Sequence, residues 1–267
     1  MLQMRTHYYQ QFDADLGREV PQEGFGGWKT GEVTLDPQRT AVVVMHSWDY
    51  GMPEEYPGLF RNCPELLHTY EICRRVFPPL LGAVRAAGMP LFHVVAGSGY
   101  FEHNPGYQRA LALAGPEEPT PHVTTDPCYD QLQQFRTEHV FPGTHNQPDS
   151  AESWRKVRLA AAAQPQGEEG VARDARQLWA LCREAGVNHL IYAGFFIDWC
   201  LLMSSGGMVD MSRYGLICSV FRDATCAVEN GATARGEVGK TVSLWRTSVA
   251  FGFVFDSTDF IEALQRQ

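Results

Sequence analysis

The sequence predicts an α/β fold, a three-layer, Rossmann-like arrangement with a central parallel sheet of about six strands. Short, continuous apolar runs alternate along the chain with longer segments in which apolar residues recur at helical spacing. A continuous apolar run is typical of a strand that is buried on both faces, and strands that alternate with helices indicate parallel pairing. The 267 residues are enough for one large domain with a full hydrophobic core.

The elements of the first half follow from this pattern. Residues 1–38 are polar and interrupted by glycine and proline, so we expect an irregular N-terminal arm followed by a domain over 39–267. The first strand is predicted at 41–45. A helix is predicted at 65–87, with a kink or a break at the two prolines 78 and 79. The second strand is predicted at 91–95.

Residues 97–170 are rich in Pro, Gly, His and Thr, and we interpret most of them as a loop-rich insertion. Residues 138–141 are a weak strand candidate. The segment 156–163 is ambiguous between strand and helix because of its alanines. The pattern recovers after this region. The predicted elements are a helix at 172–185, a strand at 189–193, a helix near 198–213, a strand at 216–221, a helix at 239–250 and a strand at 251–255.

Composition and charge exclude several classes of partner. The net charge is −9 and the lysines and arginines do not cluster, which argues against nucleic acid or an anionic membrane surface. The chain contains no apolar stretch of about 18 residues that could span a membrane, and its first residues lack the apolar run of a signal peptide. Seven cysteines, with no C-x-x-C pair, favour free thiols in a reducing, cytoplasmic compartment.

Cys200 is the most informative candidate for chemistry. It is predicted to open a helix directly after a strand, at the carboxyl end of the sheet, where open parallel sheets bind ligands. The free N–H groups of a helix start favour a thiolate and could also hold a developing oxyanion. The alternative is that Cys200 is a small buried hydrophobic residue.

Several motifs resemble those of the isochorismatase-like cysteine hydrolase superfamily. They are the turn Gly194-x5-Cys200, the segment 211–215 (MSRYG) and the run Arg222-Asp223-Ala224-Thr225. The apolar run 42–45 and the junction Arg85-x-x-Gly88-x-Pro90 are also similar to the family pattern. The resemblance covers residues 38–96 and 172–256 and implies the isochorismatase-like hydrolase fold.

The resemblance also implies an activity. Members use an Asp–Lys–Cys triad, in which the cysteine attacks an amide or related carbon, and Cys200 matches that nucleophile. In this chain His46 stands at the aspartate position, Ile197 stands at the threonine position of the turn, and 164–169, where the lysine is expected, contains none. We therefore consider two functions: a small-molecule hydrolase of C–N or related bonds, and a catalytically impaired member that binds a metabolite or a protein partner.

His46 ends the first predicted strand and should face Cys200. One hypothesis is a Cys200–His46 dyad, oriented or assisted by Asp49 or Asp198. In the other, His46 is a structural or ligand-contacting residue. The oxyanion would be held by backbone N–H groups near Ile197 and Trp199.

Aromatic residues follow several strand ends and predict an apolar pocket for a small, flat ligand. With the neighbouring acids, the predicted lining is Trp48, Asp49, Tyr100, Phe195, Phe196 and Asp198. Alternatively, the rings cover the end of the sheet or meet a neighbouring subunit. The resemblance implies a homo-oligomer, a dimer or a tetramer, with contacts through 195–199 and the insertion.

We predict no metal and no other cofactor. Zinc-binding relatives hold their metal through an Asp-x-His pair and a further histidine, whereas this chain has only His93 and His103 near the matching region. Gly97-x-Gly99 lacks the third glycine and the following helix of a dinucleotide-binding loop.

Overall fold

The computed structural model describes residues 1–117 and 119–266. The strands in these residues are β1 Leu2–Gln10, β2 Gly27–Leu35, β3 Thr40–Met45, β4 Trp48–Asp49, β5 Leu91–Val94, β6 Arg158–Leu159, β7 Gly170–Ala172, β8 His189–Gly194, β9 Ile217–Phe221 and β10 Val254–Phe255. The α-helices are α1 Pro57–Asn62, α2 Leu66–Arg75, α3 Phe77–Ala86, α4 Pro105–Ala114, α5 Pro127–His139, α6 Gln147–Lys156, α7 Ala175–Ala185, α8 Cys200–Met203, α9 Met208–Arg213, α10 Val238–Ala250 and α11 Ser257–Gln265.

The main sheet confirms the predicted α/β class. Its strand order is β2-β1-β10-β9-β8-β3-β5-β7. All pairings from β10 to β7 are parallel, so the five strands that the sequence predicts lie in one sheet, with β7 as a sixth parallel strand at its edge. β3 and β8 lie side by side at the centre, which brings the chain after Met45 and the chain after Gly194 to the same edge.

Two hydrophobic cores cover the two faces of the sheet and produce three layers. Val42 and Val44 pack on one face with α3 and α11, whereas Ala41, Val43 and Met45 pack on the other with α7 and α9. Every residue of β3 is buried, as its continuous apolar run predicts.

The N-terminal region differs from the prediction. Residues 1–38, expected to be an irregular arm, form an antiparallel hairpin of β1 and β2, and β1 pairs with β10. Leu2, Met4 and Thr6 are buried in alternation with exposed neighbours. This is the period-two pattern of a strand with one face on the core, and the surrounding polar residues and glycines obscured it.

Helix boundaries also differ in places. The predicted helix over 65–87 is two helices, α2 and α3, as the two prolines indicate. The predicted helix near 198–213 is divided into α8 and α9. The strand candidate at 138–141 is wrong, because α5 continues to His139. The ambiguous segment 156–163 contains the end of α6, the two-residue strand β6 and a 3-10 turn at Ala161–Ala163.

Within the described residues, helices of sufficient length and apolar character to cross a membrane are absent. All seven cysteines carry free thiols. The cytoplasmic location stays a prediction.

Candidate functional site

The turn between β8 and α8 places Cys200 at the carboxyl end of the central strands. Gly194 has φ +119°, and a Cβ there would lie 1.9 Å from the carbonyl oxygen of Met45, so only glycine allows β8 to approach β3 this closely. The N–H of Phe195 donates to that same carbonyl at 3.0 Å. The peptide bond between Phe195 and Phe196 is cis. Cys200 is then the first residue of α8.

The backbone of this turn is largely hydrogen-bonded within the protein. The N–H of Ile197 donates to the Cys226 carbonyl at 2.9 Å, and the N–H of Trp199 donates to the Phe196 carbonyl at 3.1 Å. These are the two positions at which the sequence predicts oxyanion donors. Both N–H groups have carbonyl partners in this conformation, so a ligand oxygen would have to displace one of them.

The environment of Cys200 favours the neutral thiol. Burial raises the pKa of Cys200 above its usual value, and the negative charge of Asp198 acts in the same direction. Interactions with the Ser204 side chain and the Phe196 N–H lower the pKa, but they do not outweigh burial. The thiolate is therefore a minor species near neutral pH in the free protein.

Cys200 lies on the wall of a cavity of about 120 Å³ whose lining is mostly aromatic and aliphatic. The lining residues are Trp48, Tyr50, Leu59, Asn62, Cys63, Leu66, Phe141, Trp154, Phe195, Phe196, Trp199, Cys200 and Val228. None of them carries a charged side chain. The cavity therefore suits a small, uncharged ligand.

The predicted lining residues divide into two groups. Trp48, Phe195 and Phe196 line this cavity, and so does Trp199, which is predicted only as a backbone donor. Asp49 instead lines two neighbouring grooves. The Tyr100 hydroxyl accepts a hydrogen bond from Trp48 Nε1 at 2.7 Å, and Tyr100 lines a separate groove. Asp198 Oδ1 accepts from the N–H of Val228 at 2.9 Å, and burial raises the pKa of the Asp198 carboxyl.

Other lining residues were not predicted, among them Asn62, Phe141 and Trp154. Asn62 ends α1, Phe141 follows α5, and Trp154 lies on α6. Phe141 and Trp154 belong to residues 97–170, which we interpret from the sequence as a loop-rich insertion. Phe141 and Trp154 are isolated aromatic residues in polar segments, which is the one sequence signal that could have indicated their place in the cavity wall. The sequence around Asn62 gives no such signal.

His46 directly follows β3, as predicted, but its ring packs against Trp48. The backbone N–H of His46 donates to the Val94 carbonyl, and the φ of His46, 51°, lies in the left-handed region. The imidazole is buried, its Nδ1 has no hydrogen-bond partner in the described chain, and burial lowers its pKa to about 4. Among residues 1–117 and 119–266, no hydrogen bond joins His46 to Cys200. The Cys200–His46 dyad stays a prediction.

The region where the resemblance places a lysine contains an ion-pair cluster instead. Glu169 binds Arg85 Nε at 2.6 Å and His93 Nε2 at 2.9 Å. Burial alone would raise the pKa of Glu169, but hydrogen bonds from His93 and Arg85 lower it to about 2. Lys156 lies elsewhere, exposed on α6, where its Nζ binds Glu152 at 2.5 Å.

Within the described ranges, no group of three or more His, Cys, Asp or Glu side chains is arranged to hold a metal ion. His93, one of the two histidines considered for zinc, is instead enclosed in the core beside Glu169.

Comparison with protein-family models and with curated protein sequences gives no match. Comparison with solved structures gives matches. A cysteine hydrolase from Pseudomonas syringae pv. phaseolicola 1448A is 16% identical, with 87% of this chain and 95% of that chain covered and a TM-score of 0.46. An isochorismatase-like hydrolase from Alkaliphilus metalliredigens is 13% identical over 85% and 99% of the two chains, with a TM-score of 0.49.

N-carbamoylsarcosine amidase from Thermoplasma acidophilum is 15% identical over 82% and 96% of the two chains, with a TM-score of 0.41. Each of these comparisons covers more than four fifths of this chain.

Proposed function

We propose that this protein is a divergent isochorismatase-like cysteine hydrolase that acts on a C–N or related bond of a small molecule. The observation that carries the proposal is the position of Cys200, which opens α8 at the carboxyl end of the central strands and lines an uncharged, aromatic cavity. A half-buried thiol on the wall of a small-molecule cavity is placed to attack a bound carbonyl carbon.

The reaction needs a group that accepts the thiol proton. Asp198 is the group that we propose, because it lies two residues before Cys200 in the turn between β8 and α8, and because burial raises its pKa and makes it a stronger base than an ordinary carboxylate. The Cys200 sulfur would bond to the carbonyl carbon, the C–N bond would break, and the amine would leave with the proton. Water would then release the acid and the free thiol.

The test uses two cysteines that line the same cavity, Cys200 and Cys63. Purified protein is incubated with a panel of small amides, and the released amine or ammonia is measured. We expect Cys200→Ser to abolish turnover and Cys63→Ser to retain it. Full turnover by Cys200→Ser would refute the proposal.

A second candidate function is a binding protein, a catalytically impaired member that holds a metabolite in the same cavity. It is favoured by the raised pKa of Cys200 and by the hydrogen-bonded N–H groups of Ile197 and Trp199. Tight binding of a ligand without any turnover, and without a covalent adduct by mass spectrometry, would support this function over the first.

We also propose that copies of the chain associate through α5. None of the described residues of α5 is buried, although Tyr129, Leu132 and Phe135 expose large apolar side chains. Next to α5, the Phe141 ring contacts that of Trp199, with centroids 6.2 Å apart, so the exposed surface reaches the cavity wall. Light scattering should show a dimer or tetramer that Leu132→Glu dissociates, and a monomeric wild-type protein would exclude this contact.

A further inference from the structure

Asn62 is the lining residue whose hydrogen bonding is incomplete. It lies at the end of α1, on the wall of the cavity that contains Cys200. Its Nδ2 is buried and has no partner in the described part of the chain. An unpaired buried donor is destabilising, so such a group in a residue that lines a cavity needs an explanation.

The neighbouring hydrogen bonds determine which amide atom of Asn62 is left over. Asn146 Oδ1 accepts two hydrogen bonds from the Arg61 guanidinium, at 3.1 and 2.9 Å. Because a guanidinium can only donate, this end of Asn146 is its oxygen, and the other end is its NH₂. Asn146 Nδ2 donates to Asn62 Oδ1 at 2.9 Å and also to the Pro142 carbonyl. The oxygen of Asn62 is thus used, and its NH₂ remains free.

We propose that Asn62 is a specificity-determining residue, whose Nδ2 donates a hydrogen bond to a carbonyl-type oxygen of the ligand. The fitting ligand is a small, uncharged molecule with an apolar body and one such acceptor. A carboxylate does not fit, because the lining offers no charged side chain to pair with it. This inference rests on the proposed function only in placing the ligand in the cavity beside Cys200.

The experiment measures binding of three probes of similar shape by isothermal titration calorimetry. Acetophenone has the acceptor but no leaving group, so binding is measured without turnover. Ethylbenzene lacks the acceptor, and benzoate carries a negative charge. We expect the wild-type protein to bind acetophenone about tenfold more tightly than ethylbenzene, since one hydrogen bond to a buried donor is gained, and to bind benzoate most weakly.

The matched variant is Asn62→Asp, which keeps the side-chain shape and an oxygen for the Asn146 NH₂, but replaces the donor with an acceptor and adds a carboxyl charge. It should weaken acetophenone binding at least tenfold more than ethylbenzene binding, because only acetophenone places an oxygen against the lost donor. One test uses the wild-type protein alone: equal affinities for acetophenone and ethylbenzene would overturn the proposal. Failure of all three probes to bind, or equal weakening of both neutral probes in Asn62→Asp, would also overturn it.

The result of this binding experiment can be distinguished from the result of the turnover test of the proposed hydrolase. Selective binding of acetophenone by a protein that hydrolyses no amide supports the role of Asn62 and refutes the hydrolase. Amide hydrolysis that is lost in Cys200→Ser but unaffected in Asn62→Asp supports the hydrolase and refutes the role of Asn62.

Discussion

The imidazole of His46 stacks on the indole of Trp48, with ring centroids 4.3 Å apart and 14° between the ring planes. Trp48 lines the cavity with Cys200, whereas His46 is not among the residues that line it. His46 therefore supports an aromatic wall of the cavity in this conformation. Its burial, which lowers the pKa to about 4, keeps the ring neutral at pH 7.

The first prediction concerns this stack. We expect His46→Ala to leave the pKa of Cys200 unchanged, because that pKa is set by burial of the thiol and by Ser204, Phe196 and Asp198, and not by His46. The pH dependence of alkylation by iodoacetamide, followed by mass spectrometry at Cys200, measures this pKa. The experiment is done in a Cys128→Ser background, because Cys128 is exposed and would react first. A shifted alkylation profile in His46→Ala would instead support the Cys200–His46 dyad.

The second prediction separates two effects of Asp198. Its charge raises the pKa of Cys200, so Asp198→Asn should move the alkylation profile of Cys200 to lower pH. If Asp198 also accepts the thiol proton, the same variant should reduce turnover even though its thiol ionises more easily. Asp49→Asn is the control, because Asp49 lines grooves outside this cavity. Turnover in Asp198→Asn equal to that of the wild type would exclude Asp198 as the base.

The third prediction concerns acid stability. The pKa of Glu169 is lowered to about 2 in the fold, below the value of about 4.3 in an unfolded chain. Its ion pair with Arg85 and its hydrogen bond from His93 therefore stabilise the fold above the unfolded pKa, and the stabilisation is lost as the pH falls towards 2. Glu169→Gln should reduce the free energy of unfolding by about 1–3 kcal/mol at pH 7 and by progressively less between pH 5 and about 2.

Urea denaturation at several pH values measures this difference. Glu152→Gln is the control, since it breaks the exposed pair with Lys156 and should change stability little. If the free energies of unfolding of the wild type and Glu169→Gln differ by a constant amount from pH 7 to pH 3, the lowered pKa of Glu169 is contradicted.

The fourth prediction concerns the close approach of β8 to β3. Gly194→Ala should destabilise the fold by about 2 kcal/mol or more, because the added Cβ would lie 1.9 Å from the Met45 carbonyl oxygen at a φ of +119°. Gly186 also has a positive φ, +67°, but an added Cβ would meet nothing within 4 Å. Gly186→Ala should therefore lower the free energy of unfolding by only about 1 kcal/mol. Urea denaturation of both variants checks the order, and equal losses would mean that the clash relaxes.

The sequence predicts the centre of the sheet well and its periphery poorly. β3 and β8 are buried on both faces, and this burial requires the continuous apolar runs from which the sequence predicts both strands. The lining residues Asn62 and Trp154 are positioned by contacts between α1 and α6, such as the hydrogen bond from the Gly58 N–H to Asp149 at 2.6 Å. These contacts join residues far apart in the chain, and no local periodicity encodes them.

The cavity that contains Cys200 has two walls of different origin. One comes from the turn after β8, which the sheet holds in place, and the other includes Phe141 and Trp154 from the insertion. The insertion is attached to α1 through Asn146 and Asp149, outside the sheet. During divergence, sequence change in the insertion could therefore alter ligand preference without disturbing the scaffold around the thiol. Selectivity and reactivity could evolve separately in this protein.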